Sequence, residues 1–302
     1  MGSIAFLFPG QGSQKVGMGK ELYERSSPAK AVFDMADDAL RFSLSDIMFN
    51  GPEHKLMQTQ FAQPAILTHS IAMLELIREE GKVDPNFVAG HSLGEYSALV
   101  AAEAISFVDA VKAVHMRGLF MQEAVPVGVG SMAAVLGLAP DLIEKLCVQI
   151  SEGAEENCVE IANYNGPDQT VISGTHRGVE KAMELLKESG AKRVMPLSVS
   201  APFHCRLMKP AAEKLASHLE TMKLRAPKIG FVNNVEAAPE ADPEKIRQLL
   251  VKQVVAPVRF TQMLIFLEEM GVHDFLEIGP GRVLSGIVRR TLADVVVANR
   301  ES

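Results

Sequence analysis

Short, unbroken apolar runs alternate along this chain with longer stretches whose apolar residues recur at helical spacing. The first kind reads as buried strands and the second as helices packed on them. Ile4 to Phe8 is such a run, and it passes into the loop Pro9-Gly10-Gln11-Gly12-Ser13-Gln14. A helical region follows near 28–41. Gln63 to Glu80 is a long helix in which Ile66, Ile71, Leu74 and Ile77 approximate one apolar face. A strand at 86–89 then meets Gly90-His91-Ser92-Leu93-Gly94, beyond which Glu95 to Ala104 and Phe107 to Glu123 read as helices.

The segment 130–198 has its own rhythm. Met132 to Leu136 is a strand, and Ala139 to Ile150 is a helix opened by Pro140-Asp141. Cys158 to Ala162 and Thr170 to Ser173 are strands joined around Asn165-Gly166-Pro167-Asp168. Val179 to Ser189 is a helix and Arg193 to Leu197 a strand. The order βαββαβ is that of the ferredoxin-like arrangement. After it the chain returns to α/β character. Phe203 to Met222 reads as largely helical, Lys228 to Val232 as a strand, and 243–255 and 259–269 as helices. Asp274 to Ile278 is a strand ending in Gly279-Pro280-Gly281, followed by a helix over 282–292 and a last strand at 294–298. The pattern predicts a discontinuous α/β unit, 1–128 plus 199–302, with a small subdomain, 129–198, inserted in it.

Composition narrows the function classes. The 302 residues are 47% hydrophobic and 22% charged, ordinary for a globular protein. The net charge of −7 argues against a general nucleic-acid binder, and against an acidic partner unless a local basic patch exists. Cys147, Cys158 and Cys205 form no CxxC pair and are odd in number, which suits reduced thiols in a cytosol. The N-terminus lacks a basic n-region, and no apolar run is long enough for a membrane span. A cytoplasmic protein is expected.

Gly90-His91-Ser92-Leu93-Gly94 matches the G-x-S-x-G nucleophile elbow, a sharp strand-to-helix turn that exposes a serine Oγ. A bare match recurs by chance, but here a strand precedes it and a helix follows. Such a serine needs a base and an oxyanion hole. Consecutive side chains on a sharp turn diverge, which argues against His91 as the base. His204 stands in a small-residue loop where the chain re-enters the large unit, a place where catalytic residues tend to gather. No acid between Ser92 and His204 sits in a recognisable strand-end loop, as an esterase would require. There is also no HGGG-type loop; the Gly10-Gln11-Gly12 turn is a candidate in its place, with a plain tight turn or a weak nucleotide loop as the other readings. Arg117 lies on a helix among Val111, Val114, Leu119 and Phe120. A guanidinium there must find a partner, either a structural ion pair or a bound carboxylate.

Phe8-Pro9-Gly10-Gln11-Gly12-Ser13-Gln14, Gly90-His91-Ser92-Leu93-Gly94-Glu95-Tyr96, Met116-Arg117-Gly118 and Pro202-Phe203-His204 together closely resemble the malonyl-CoA:acyl carrier protein transacylases of fatty-acid synthesis. Ile161-Ala162-Asn163-Tyr164-Asn165 and Gln253-Val254-Val255-Ala256-Pro257-Val258 extend the resemblance, which runs from the first strand to the last. It implies an α/β fold, an α/β-hydrolase-like core with an inserted ferredoxin-like subdomain. It implies Ser92 as nucleophile, His204 as base, and the backbone N–H groups of Gln11 and Leu93 as oxyanion hole. The backbone carbonyl of Gln253 would replace the missing acid, Arg117 would bind the malonyl carboxylate, and Phe203 would crowd an α-methyl branch. Malonyl-CoA and the phosphopantetheine of holo acyl carrier protein would be substrates, with no metal or resident cofactor.

A thioesterase on the same core and a non-enzymatic carrier-binding module are the rival classes, and an acyltransferase of polyketide synthesis is a related alternative. Acyl carrier proteins of this pathway are generally acidic, so docking calls for a basic patch. Lys187, Lys192 and Arg193, with Arg206 and Lys209 beyond the base, are the first candidate, and Arg289-Arg290 the second. A monomer is expected.

Overall fold

The computed structural model describes residues 3–81, 84–126, 128–152 and 155–301. The chain runs β1 (Ser3–Phe8), α1 (Lys20–Arg25), α2 (Ser27–Leu40), α3 (Leu44–Asn50), α4 (Glu53–Leu56), α5 (Thr59–Glu79), β2 (Phe87–Gly90), α6 (Gly94–Ala101) and α7 (Phe107–Glu123). It continues with β3 (Gly130–Leu136), α8 (Pro140–Ser151), β4 (Val159–Gly166), β5 (Gln169–Thr175), α9 (His176–Glu188) and β6 (Arg193–Pro196). Then come α10 (Lys209–Glu220), β7 (Gly230–Val232), α11 (Pro243–Gln253), α12 (Phe260–Glu269), β8 (Val272–Ile278), α13 (Val283–Thr291) and β9 (Val296–Arg300).

The first apolar run is the central strand of a five-stranded parallel sheet, ordered β7-β2-β1-β8-β9. Its residues read as continuous apolar sequence because both faces are covered: Phe6 and Phe8 pack into one core cluster, Ala5 and Leu7 into another. Strands β4-β5-β3-β6 form a separate antiparallel sheet, in the strand order of the ferredoxin-like arrangement. Its core includes Val135 and Ile172 from the sheet, Ile143 and Cys147 from α8, and Val179 and Leu186 from α9. The fold is therefore an α/β-hydrolase-like core carrying a ferredoxin-like subdomain. The antiparallel sheet is tied to the segment between α11 and α12, where Val258 N donates to Ala162 O and Tyr164 N donates to Val258 O, both at 2.9 Å. No helix of the described residues is long and apolar enough to cross a membrane.

Several elements differ from the sequence reading for local reasons. α5 begins at Thr59 and is buried on nearly every side, so a single apolar face was bound to look blurred. The short helices α1, α3 and α4 carry too few turns to show a period. Phe203–Met222 is not helical from its start. His204 has φ +60°, Arg206–Met208 is a tight 3-10 turn, and α10 opens only at Lys209, with Pro210 in its first turn. The last strand starts at Val296, after a turn in which Asp294 has φ +54°.

Candidate active site

β2 ends at Gly90 and α6 begins at Gly94, so the chain reverses within three residues. A Cβ on Gly90 would lie 2.0 Å from the backbone of Gly94, and one on Gly94 would lie 2.0 Å from the carbonyl oxygen of Phe8. The elbow can therefore cross β1 only with glycine at both positions. Ser92, between them, has φ +50°. Such a conformation is costly for a residue with a Cβ and persists only where the surroundings enforce it. Asn234, just after β7, supplies that enforcement. Its Oδ1 accepts from Ser92 N and its Nδ2 donates to Gly90 O, both at 2.7 Å. These bonds satisfy main-chain groups that the sharp turn would otherwise leave buried and unpaired.

Ser92 Oγ lies 2.7 Å from His204 Nε2. On the far side of the ring, Nδ1 lies 2.8 Å from the Gln253 carbonyl oxygen. A carbonyl only accepts, so Nδ1 carries the proton and Nε2 turns its lone pair to the serine hydroxyl. Gln253 is the last residue of α11, and its carbonyl belongs to the negative end of that helix. Burial, and then the Arg117 cation, push the His204 imidazole down to about 3, which keeps it neutral. His91 turns away from Ser92 Oγ, its Nε2 lying 2.8 Å from Asn165 Oδ1.

Arg117 is 1% exposed. It donates from Nη1 to Gln63 Oε1 at 2.7 Å, and from Nη2 to Gln253 Oε1 at 2.8 Å and Ser92 Oγ at 3.1 Å. None of these partners is a carboxylate, so this guanidinium is not held in a structural ion pair. Glu95, one residue into α6, is the nearby acid. It is 1% exposed and accepts from Asn234 N at 3.2 Å and from Gln253 Nε2. Burial raises its carboxyl to about 8, against the pull of those donors and of Arg117. A buried cation beside a carboxyl that tends to stay neutral favours an incoming anion.

A cavity of about 160 Å³ opens over Ser92, with Gln11, Gln63, Arg117, Asn163, Phe203 and His204 among its walls. Asn163 comes from the antiparallel sheet, while Ser92 and Arg117 come from the elements around the parallel one. Leu93 caps the start of α6, and Gln11 lies in the turn after β1. The N–H groups of both residues have no acceptor within the protein among the described residues. The Gln11 side chain instead donates to Thr59 Oγ1 at 3.3 Å. Phe203 is buried, directly before the histidine.

The structure thus gathers Gln11, Ser92, Leu93, Arg117, Phe203, His204 and Gln253 in one place. Gln63, Glu95 and Asn234 stand beside them and were missed. Glu95 is printed in the elbow motif itself, yet nothing local marks a carboxyl as buried. Asn234 did carry a signal, since paired asparagines follow directly on a parallel strand, at the sheet edge where sites form. Lys187, Lys192 and Arg193 are exposed, and their side chains have no ion-pair partner among the described residues. Arg206 pairs with Glu160, and Lys209 Nζ is 3.9 Å from Glu213. The buried thiols of Cys147 and Cys205 are pushed up to about 12 by burial, so neither is a nucleophile at neutral pH. No cluster of three or more potential metal ligands occurs among the described residues.

Known proteins resemble this chain over nearly its whole length. Residues 5–301 match the acyl transferase domain family. The malonyl CoA-acyl carrier protein transacylase of Bacillus subtilis (strain 168) is 51% identical over 305 residues, covering 100% of this chain and 95% of the relative. An acyl carrier protein S-malonyltransferase from Vibrio cholerae superposes with a TM-score of 0.96 at 42% identity, covering 99% of this chain and 97% of that one. A malonyl-transacylase solved with its type II PKS acyl-carrier protein gives 0.96 at 43% identity, covering 99% and 96%. From one end to the other, the chain belongs to the acyl transferase domain family, among the malonyl CoA-acyl carrier protein transacylases.

Proposed function

We propose that this enzyme moves malonyl from malonyl-CoA to the phosphopantetheine thiol of holo acyl carrier protein through a malonyl ester on Ser92, supplying fatty-acid elongation. The observation that carries this reading is Arg117, a buried guanidinium 3.1 Å from the Ser92 hydroxyl with only neutral hydrogen-bond partners. A planar fork in that position suits a substrate that bears a carboxylate close to its reacting carbonyl.

In the first half-reaction His204 Nε2 takes the Ser92 proton as Oγ attacks the thioester carbonyl. The oxyanion forms against the Gln11 and Leu93 N–H groups, at the positive end of α6. Collapse breaks the C–S bond, and the departing sulfur of CoA takes the proton from Nε2. In the second half-reaction the pantetheine thiol gives its proton to His204, its sulfur attacks the ester carbonyl, and collapse returns the proton to Ser92 Oγ. The Gln253 carbonyl steadies Nδ1–H throughout, in place of the acid of a serine triad. When the malonyl carboxylate meets Arg117 it offsets one of the influences that hold the imidazole down, second to burial, so the base strengthens once its substrate is seated. Phe203, beside the base, leaves room for malonyl and crowds an α-methyl branch.

The division into a large unit, 1–128 plus 199–302, and a small one, 129–198, puts the cleft between them. For the carrier we favour the patch of Lys187, Lys192 and Arg193, because β6 leads from it directly to residues 197–200, which line the cavity. Arg206 and Lys209 extend it less strongly, each having an acidic neighbour. A monomer working in the cytoplasm fits this picture. The relative solved with a type II PKS carrier favours polyketide supply as a second reading of the same chemistry. Intact-protein mass spectrometry after incubation with malonyl-CoA tests the proposal: the wild type should gain one malonyl, and Ser92→Ala none. An adduct that persists on Ser92→Ala would sink it.

A further inference from the structure

The Gln253 side chain ties together three groups that the reaction needs in one register. Its Oε1 accepts from Arg117 Nη2 at 2.8 Å, and its Nε2 donates to Glu95 and to the Ser92 carbonyl at 3.0 Å. Its main-chain oxygen meanwhile holds His204. An amide can present either end, so something must decide that the oxygen faces the guanidinium. Neither Glu95 nor Gln253 lines the cavity, so neither is placed to touch substrate.

We infer that Glu95 is a positioning residue that holds the Gln253 amide with its oxygen toward Arg117 and so aims the guanidinium at the substrate carboxylate. Both Glu95 oxygens receive N–H donors, Oε1 from Asn234 N and Oε2 from Gln253 Nε2. A carboxyl can accept on both oxygens in either protonation state, whereas an amide nitrogen accepts nothing. The Asn234 donor is main chain and cannot turn. In a Glu95→Gln enzyme the new amide oxygen must therefore stay with Asn234, and its NH2 then faces the Gln253 NH2. The Gln253 amide can relieve this only by flipping. Flipping sets its NH2 against the Arg117 cation and its oxygen against the Ser92 carbonyl. Flipped, the amide no longer accepts from Arg117; unflipped, the two facing NH2 groups push Gln253 off its place, and in both cases the guanidinium loses its aim.

The inference rests on the malonyl reading above and makes a claim which that reading does not. The test compares initial acylation of Ser92 by malonyl-CoA and by acetyl-CoA, followed by intact mass over a range of donor concentrations. It is run on the wild type, Glu95→Gln and Glu95→Asp. Glu95→Gln should slow malonyl acylation at least tenfold more than acetyl acylation, mainly by raising the malonyl-CoA concentration for half-saturation. Glu95→Asp keeps two acceptor oxygens, and should show the same bias to a smaller degree. Should Glu95→Gln not fold, the Glu95→Asp comparison decides by itself. Equal losses for both donors would make Glu95 a support of the elbow alone and overturn the inference, as would an unchanged malonyl-to-acetyl ratio. A wild type that takes both donors at one rate would instead refute the malonyl reading, and this inference with it.

Discussion

If Arg117 binds the malonyl carboxylate as proposed, replacing it with alanine should separate recognition of the acyl group from the chemistry performed on it. The guanidinium is 1% exposed and makes its three bonds to Gln63, Gln253 and Ser92. Without it, a malonyl carboxylate would enter the pocket with no cation to meet it. Removing one partner of a buried, hydrogen-bonded charge pair costs about 2–5 kcal/mol. At about 1.4 kcal/mol per factor of ten, that is a loss of roughly 30- to 4000-fold. Rotation of the Gln63 amide to donate to the carboxylate would return part of this, so about 100- to 1000-fold is expected for malonyl. Acetyl carries no charge to strand. It loses only the contact between Arg117 and Ser92 Oγ, a hydrogen bond from a charged donor worth about 1.5–3 kcal/mol, and regains part of that from a His204 freed of a neighbouring cation. Acetyl acylation should therefore fall by roughly tenfold, the lower end of that range, and clearly less than malonyl acylation. Arg117→Lys should recover a minor share, because one ammonium cannot reproduce a fork spread over three partners. Rapid-quench acylation with each CoA ester, read by intact mass, measures both rates, and thermal melting confirms that the variant is folded. If malonyl and acetyl acylation fall by the same factor, Arg117 is a structural residue and the argument from its unpaired charge is wrong.

The pH dependence of stability should be shaped by buried groups, foremost three of them. His204 and His69 are pushed down by burial to about 3 and about 4 from 6.5, and Glu95 is raised to about 8 from 4.5. Below pH 6.5 the unfolded histidines bind protons that the folded ones refuse, so stability is lost as pH falls. Above 4.5 folded Glu95 keeps a proton that the unfolded chain releases, so its contribution declines as pH rises to about 8. Melting temperature should therefore peak near pH 6.5, and Glu95→Gln should flatten the decline above it; an unchanged decline would assign it to other groups. Gly94→Ala drives a Cβ to 2.0 Å from the Phe8 carbonyl, and should cost about 1–3 kcal/mol or more, seen as a lower melting temperature, together with loss of acylation. A stable, active Gly94→Ala enzyme would disprove the crossing argument. Reversing Lys192 and Arg193 to glutamate should raise the KM for carrier protein and leave acylation by malonyl-CoA untouched. Unchanged carrier kinetics would move the docking site elsewhere, with Arg289-Arg290 next.

Features of the site that depend on near neighbours in sequence were legible, and those that depend on distant ones were not. The elbow is a five-residue problem in steric exclusion, so its glycine spacing states it outright. His204 could be singled out because a small-residue loop surrounds it, although its left-handed backbone was hidden inside an apparent helix. Arg117 drew notice as a charge among apolar neighbours, but its actual partners come from α5, the elbow and α11, which no periodicity connects. Glu95 was hidden for the same reason. One turn of α6 places it, yet its burial depends on Asn234 and Gln253, both over a hundred residues away. The short helices between β1 and α5 are set by what they pack against, so the sequence in those stretches carried too little pattern to reveal them.

The carbonyl that steadies His204 belongs to the polypeptide and not to a side chain, and this changes what genetics can see. Every amino acid supplies that oxygen, so no codon at position 253 can delete it. Mutational scanning at this site would report the role of the Gln253 amide and stay silent about the oxygen beside it. An enzyme that orients its base with an aspartate can lose that function in a single step, and lineages can drift through such losses. Here the function is lost only by displacing the end of α11, which also carries the amide that meets Arg117. On the proposed mechanism, proton handling and acyl-group recognition are thus anchored to one residue, and selection on either protects the other.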